Sequence, residues 1–158
     1  MKKIISAWAL FLISMSVYAG NTINSRPETS ATTVQNQNEG EVIVMNKDMF
    51  IEHVFDYQNS KEWKYKGNKP AIIDLYADWC GPCRRIAPIM KELAKEYAGK
   101  IVIYKVNVDN EKELAALFNA TSIPLLVFIP QEGTPQLFPG AADKNTYKKA
   151  IDEFLLKQ

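Results

Sequence analysis

Both cysteines of this 158-residue chain fall in one short run, Trp79-Cys80-Gly81-Pro82-Cys83, with two residues between them. A bond between them closes so small a ring that it removes little chain entropy, which makes it a poor staple for a fold. The spacing suits chemistry better. A thiolate that attacks a disulfide needs a second thiol within reach to resolve the mixed disulfide it has formed. Two other readings of the pair exist: half of a zinc site, or two inert buried thiols. A structural zinc takes four protein ligands, and the chain has no third cysteine and a single histidine, His53. His53 is read as a surface or satisfied side chain. No metal is expected, and no cofactor beyond the cysteine pair itself.

The elements on either side give the two sulfurs unequal roles. Residues 71–77 are an almost continuous apolar run, as parallel strands covered on both faces are. After the cysteines a helix is expected over about 84–97, with Ile86, Met90, Leu93 and Tyr97 on one face. Cys80 therefore lies past the carboxyl end of a strand and at a helix start, where open α/β sheets place reactive groups. Free N–H groups and the helix dipole favour a thiolate there, so Cys80 is the expected nucleophile. Cys83, one turn on and on the same face, is the expected resolving thiol. Pro82 suits the first turn of a helix, and Gly81 lets the backbone of a partner come close.

Two charges interrupt otherwise apolar strands. Asp74 is either a strand-edge carboxyl facing water or, as its apolar neighbours favour, a buried one. Burial raises a carboxyl's pKa, which suits it to take a proton from Cys83 and return it. Lys105 breaks the run at 101–106. It either snorkels to solvent or pairs with Asp74 if the two strands are neighbours.

The remaining elements follow from periodicity and punctuation. A short β-branched run at 41–45 leads to Asn46 as the cap of a helix carrying Phe50, Ile51, Val54 and Phe55. Residues 57–70 are a polar, irregular connection. Asp109 and Asn110 read as turn or cap residues before a short helix through Phe118. Ile123-Pro124 enters an apolar strand at 125–129, a proline being permitted at a strand mouth. A small strand at 136–138 is broken by Pro139-Gly140, and a last helix runs over about 143–156. The order implies an α/β layer with an antiparallel edge.

A hydrophobic content of 47% suits one compact domain, and 19 basic against 18 acidic side chains imply no strongly charged surface. Nucleic acid is not an expected partner. Residues 1–19 have the form of a cleavable export signal: Lys2 and Lys3, an apolar run, then Val17-Tyr18-Ala19. An uncleaved membrane anchor is the alternative. Loss of Lys2 and Lys3 with the signal turns a formal charge of +1 into −1. Residues 20–40 are polar and read as a flexible leader, leaving 41–158 as the domain. A periplasmic location is expected.

Residues 41–156 resemble the thioredoxin family. The stretch at 77–84 is similar to the family's active-site segment, in which Trp79 flanks the site and Gly81-Pro82 marks reducing members. The resemblance implies a three-layer α/β fold with a central mixed five-stranded sheet and a redox disulfide between Cys80 and Cys83. It places Asp74 at the family's buried aspartate, Lys105 at its lysine partner and Pro88 at a helix-kinking proline. Ile123-Pro124 is similar to a cis-proline turn that offers the Ile123 backbone to substrate, and Gly140 matches a glycine on the rim of the same groove. The implied activity is that of an exported protein-disulfide reductase. Its expected substrates are exported proteins with disulfides, its expected electron donor a membrane or periplasmic thiol, and its expected state a monomer. An exported thiol oxidase or isomerase and a non-enzymatic peptide-binding module are the competing readings.

Overall fold

A computed structural model describes residues 39–157. The expected signal, and the expected leader up to residue 38, lie outside them. Glu39 and Gly40 form a turn, with the Glu39 carboxylate paired to Lys69.

The elements run β1 (Val42–Val44), α1 (Lys47–His53), β2 (Ala71–Tyr76), α2 (Gly81–Glu96), β3 (Val102–Asn107), α3 (Lys112–Leu117), β4 (Leu125–Ile129), β5 (Gln136–Pro139) and α4 (Lys144–Ala150). The five strands form one sheet in the order β1-β3-β2-β4-β5. The first three are parallel, while β4 is antiparallel to β2 and β5 to β4. This is the mixed five-stranded α/β architecture that the resemblance implies.

Register decides where the site lies. Tyr76 pairs with Asn107 at the carboxyl ends of β2 and β3. Leu75 pairs with Leu125, so β4 begins at the edge where β2 ends. Leu125 in turn pairs with Pro139, which returns β5 to the same edge. The segment after β2, the segment after β3, Ile123-Pro124 and Gly140 are thereby gathered at one end of the sheet.

The sheet separates two cores. Side chains alternate along a strand, and Ala71, Ile73 and Leu75 face Phe50, Val54 and Leu114 on one side. Ile72 faces the other, with Ile86, Met90, Leu93 and Tyr147. Asp74, in phase with Ile72, belongs to the α2 side.

Asn46 caps α1 as expected, its Oδ1 accepting the Met49 N–H at 2.9 Å. The second helix starts at Gly81 rather than near residue 84, because Cys80 itself is the cap residue. The third is preceded by Glu111, whose side chain makes no capping bond; Asp109 and Asn110 are not its caps but lie in the turn before it, the other role expected of them. The last helix leaves α geometry after Ala150 and finishes in a π-helical turn, Ile151–Leu155, burying Ile151 and Leu155. The irregular connection is packed rather than loose, with the Trp63 ring 4.9 Å from that of Phe55.

Pro88 interrupts α2, and all the polar links described between α2 and the C-terminal helix lie beyond it. Lys144 pairs with Glu92 and Glu96, Lys148 pairs with Glu96, and the Tyr97 hydroxyl donates to Asp152 at 2.8 Å. Exposed ion pairs add little singly; Tyr147 and Leu93 of the same helices are buried.

Candidate active site

Cys80 holds extended backbone at φ −76° and ψ 108° and caps α2, its Sγ accepting the Cys83 N–H at 3.2 Å. The same amide would stabilise negative charge on the sulfur in the dithiol form. The two sulfurs are bonded, with the Cα atoms 5.3 Å apart. Cys80 is 3% and Cys83 2% exposed. Residue burial therefore does not separate the expected nucleophile from the expected resolving thiol; the two differ in position, Cys80 at the cap and Cys83 within the first turn. Ala77 joins the two cysteines in a small apolar patch, with Tyr76, Val108 and Ile123 against it.

Of the predicted substrate-binding residues, Ile123 packs against this patch, and Trp79, Gly81 and Pro82 adjoin it along the chain. Trp79 is 68% exposed, a large apolar ring left in solvent beside the disulfide. Gly81 presents an open face, since nothing lies within 4 Å of where a Cβ would stand, and Pro82 occupies the first turn of α2. The Ile123-Pro124 bond is cis. Gly140, at φ +85°, donates its N–H to the Pro124 carbonyl at 2.8 Å, tying the end of β5 to that turn.

A polar chain on the rim was not foreseen. The Trp79 indole N–H donates to Asp109 Oδ2 at 2.9 Å, and the Asp109 N–H donates to Asn107 Oδ1 at 2.9 Å. Asn107 Nδ2 reaches Asp78 Oδ2 at 3.2 Å, and Arg84 Nη1 donates to the Asp78 carbonyl at 2.9 Å. The available signal was topological: Asp109 stands two residues past the carboxyl end of a strand parallel to β2, the edge that carries the dithiol.

Asp74 is buried, at 5% exposure, and its Oδ1 has no hydrogen-bond partner among the described residues. Burial pushes its pKa up to about 7, with the positive charge of Lys105 pulling the other way. Asp74 and Cys83 line one cleft of about 220 Å³, together with Arg84 and Lys105. A second cleft of about 300 Å³ reaches Asp74 from between α2 and β1. Lys105 is directly opposite Asp74 in register, yet the two form no direct ion pair. The Lys105 ammonium lies over the Tyr76 ring instead, 5.5 Å from its centroid. His53 lies in the last turn of α1, 3.8 Å from Glu52.

The chain is similar in sequence to known proteins. A family model described as Thioredoxin matches residues 41–153. A thioredoxin of Borreliella burgdorferi is 39% identical over 112 residues, covering 71% of this chain and 96% of its own length. A chloroplastic M-type thioredoxin of Spinacia oleracea is 38% identical over 107 residues, covering 66% of this chain and 59% of its own. Another M-type thioredoxin, from Pisum sativum, is 42% identical over 86 residues. The match covers 54% of this chain and 50% of that relative, so the chain spans only half to three fifths of these two chloroplastic relatives. From the match over residues 41–153 and a disulfide between Cys80 and Cys83 at a helix start, the chain belongs to the thioredoxin family and is a thiol-disulfide oxidoreductase.

Proposed function

We propose that the chain is an exported protein-disulfide reductase in which Cys80 attacks and Cys83 resolves. The observation that carries the reading is the Cys83 N–H on Cys80 Sγ at the head of α2, in a patch beside exposed Trp79. Gly81-Pro82 between the cysteines favours the reducing direction, as in the family members that this stretch resembles.

In the dithiol form the Cys80 thiolate attacks one sulfur of a substrate disulfide. The substrate S–S bond breaks and one substrate sulfur leaves as a thiolate. Asp74, as carboxylate, takes the Cys83 proton across the cleft they share. The Cys83 thiolate then attacks Cys80 Sγ, forming the Cys80–Cys83 disulfide and releasing the second substrate sulfur, to which the proton passes. Two electrons have moved from the pair to the substrate. Lys105 acts on Asp74 by charge. Trp79, Gly81, Pro82, Ile123, Pro124 and Gly140 form the docking rim, suited to an extended segment of a protein.

Export rests on the charged start, apolar run and small-residue end of residues 1–19. It implies periplasmic protein disulfides as substrates and a membrane or periplasmic thiol as electron donor, with the chain acting as a monomer. The test has two arms. Insulin-disulfide reduction with a chemical thiol as donor, and a low reduction potential, support the reductase; a potential near that of a periplasmic oxidant overturns it. The N-terminus of the protein recovered from the periplasm should begin at Gly20, and retention of Met1 in the membrane fraction overturns cleavage.

A further inference from the structure

Asp74 and Lys105 face each other across adjacent parallel strands, which are about 4.8 Å apart in any sheet. The four-carbon stem of a lysine spans that gap easily, so a direct ion pair lies within reach. The ammonium is found elsewhere, 5.5 Å from the centroid of the Tyr76 ring. Tyr76 follows Asp74 by two residues and so shares its face of β2. An aromatic face attracts an ammonium through its quadrupole, and here the ring competes with the carboxylate for the same cation.

We propose that Tyr76 is a positioning residue: its ring holds the Lys105 ammonium off Asp74 and so leaves the carboxyl free to take and return the proton of the resolving thiol. The proposal rests on the assignment of Asp74 as the proton carrier. A lysine in contact would fix Asp74 as a carboxylate, unable to hold a proton near neutral pH. With the ammonium on the ring, burial outweighs the charge of Lys105 and the carboxyl titrates at about 7.

Other charged and titratable groups face Asp74. Cys83, Arg84 and Asp78 share the smaller cleft with it. Lys91 and Lys95 of α2 and Glu41 ahead of β1 line the larger one. Tyr147 of α4 also feels its charge. Arg84, Lys91, Lys95, Asp78 and Glu41 are exposed, so solvent and salt screen them. Cys83 is held in the disulfide, and Tyr147 is neutral near pH 7. Lys105 is left as the nearby charge whose placement matters.

The test is a pH titration of the Asp74 carboxyl by carbon-13 chemical shift on the full chain in its disulfide form. Tyr76→Phe keeps the ring face and should keep the wild-type midpoint. Tyr76→Leu and Tyr76→Met remove the face and should lower the midpoint by about one pH unit, a tenfold change in the ionisation constant. In a Lys105→Met background, Tyr76→Leu should move the midpoint no further, because the cation it releases is gone. An unmoved midpoint in both Tyr76→Leu and Tyr76→Met overturns the proposal, and so does an equal drop with and without Lys105. If only one of the two folds, that one decides. The titration reads the carboxyl and not turnover. Failure of the proton-carrier assignment appears separately, as an Asp74→Asn variant that resolves mixed disulfides at the wild-type rate.

Discussion

The indole N–H of Trp79 donates to the Asp109 carboxylate at 2.9 Å, fastening the most exposed large apolar side chain of the site to the segment that follows β3. Because Asp109 is itself held by its N–H on Asn107, the ring has a fixed place, which under the proposed docking role is the surface a substrate meets. Asp109→Ala should raise KM for insulin reduction by about fivefold with little change in kcat, the size expected for losing one such bond. Asp109→Asn keeps an acceptor and should recover most of the loss. An equal fall in kcat for both variants would mean that Asp109 supports something other than docking.

Cys83→Ser removes the resolving thiol and should leave covalent complexes between Cys80 and substrates, visible on non-reducing gels and released by dithiothreitol. Cys80→Ser should capture none. Complexes through Cys83 alone would reverse the assigned roles, since burial does not distinguish the two residues.

Asp74 titrates at about 7 in the folded chain, against 3.8 for an ordinary aspartate. Between those values the folded state keeps a proton that the unfolded chain has released, so this residue lowers stability as pH rises from about 4 to about 7, and no further above that. Asp74→Asn should therefore be more stable than wild type at pH 8, by roughly 4 kcal/mol. The advantage should shrink steadily below pH 7 and level off below about pH 4. Urea denaturation at pH 4, 6 and 8 measures it. An advantage that does not change with pH would assign the effect to packing.

Gly140 has φ +85° while nothing lies within 4 Å of where its Cβ would be. A side chain there meets space but not an allowed backbone, so Gly140→Ala should cost about 1 kcal/mol by urea denaturation. Gly140→Asn, which tolerates the left-handed region better, should cost less. Equal losses would point to disturbance of the Gly140 N–H bond to Pro124 rather than to strain.

The order of the elements was readable in the chain because most strands are compact apolar runs and most breaks have a proline, glycine or capping residue. Asn46 and the run at 71–77 are the clearest instances. Burial of Asp74 was readable for the same reason, a lone carboxyl among Ile72, Ile73 and Leu75. The position of Lys105 was not, because pairing and snorkelling predict the same sequence, and the choice is made by Tyr76, whose ring reads locally as one more apolar residue. Asp109 reads in the sequence as a turn or cap residue and does lie in a turn, but its bond to Trp79 joins residues thirty apart that only the parallel register brings together. The π-helical finish of the last helix left no mark in the periodicity, since Ile151 and Leu155 are also one α-helical turn apart.

Pro88 divides α2 into a half that works and a half that is gripped. Glu92, Glu96 and Tyr97 meet the C-terminal helix about two turns or more beyond the cysteines, whereas at the other end Gly81 has open space where a side chain would stand and Pro82 is half-buried. Exchanging the dipeptide between the cysteines therefore leaves the grip untouched. The domain is a holder with a replaceable tip, and new substrate preferences can be tried at 81 and 82 without rebuilding the body that carries them.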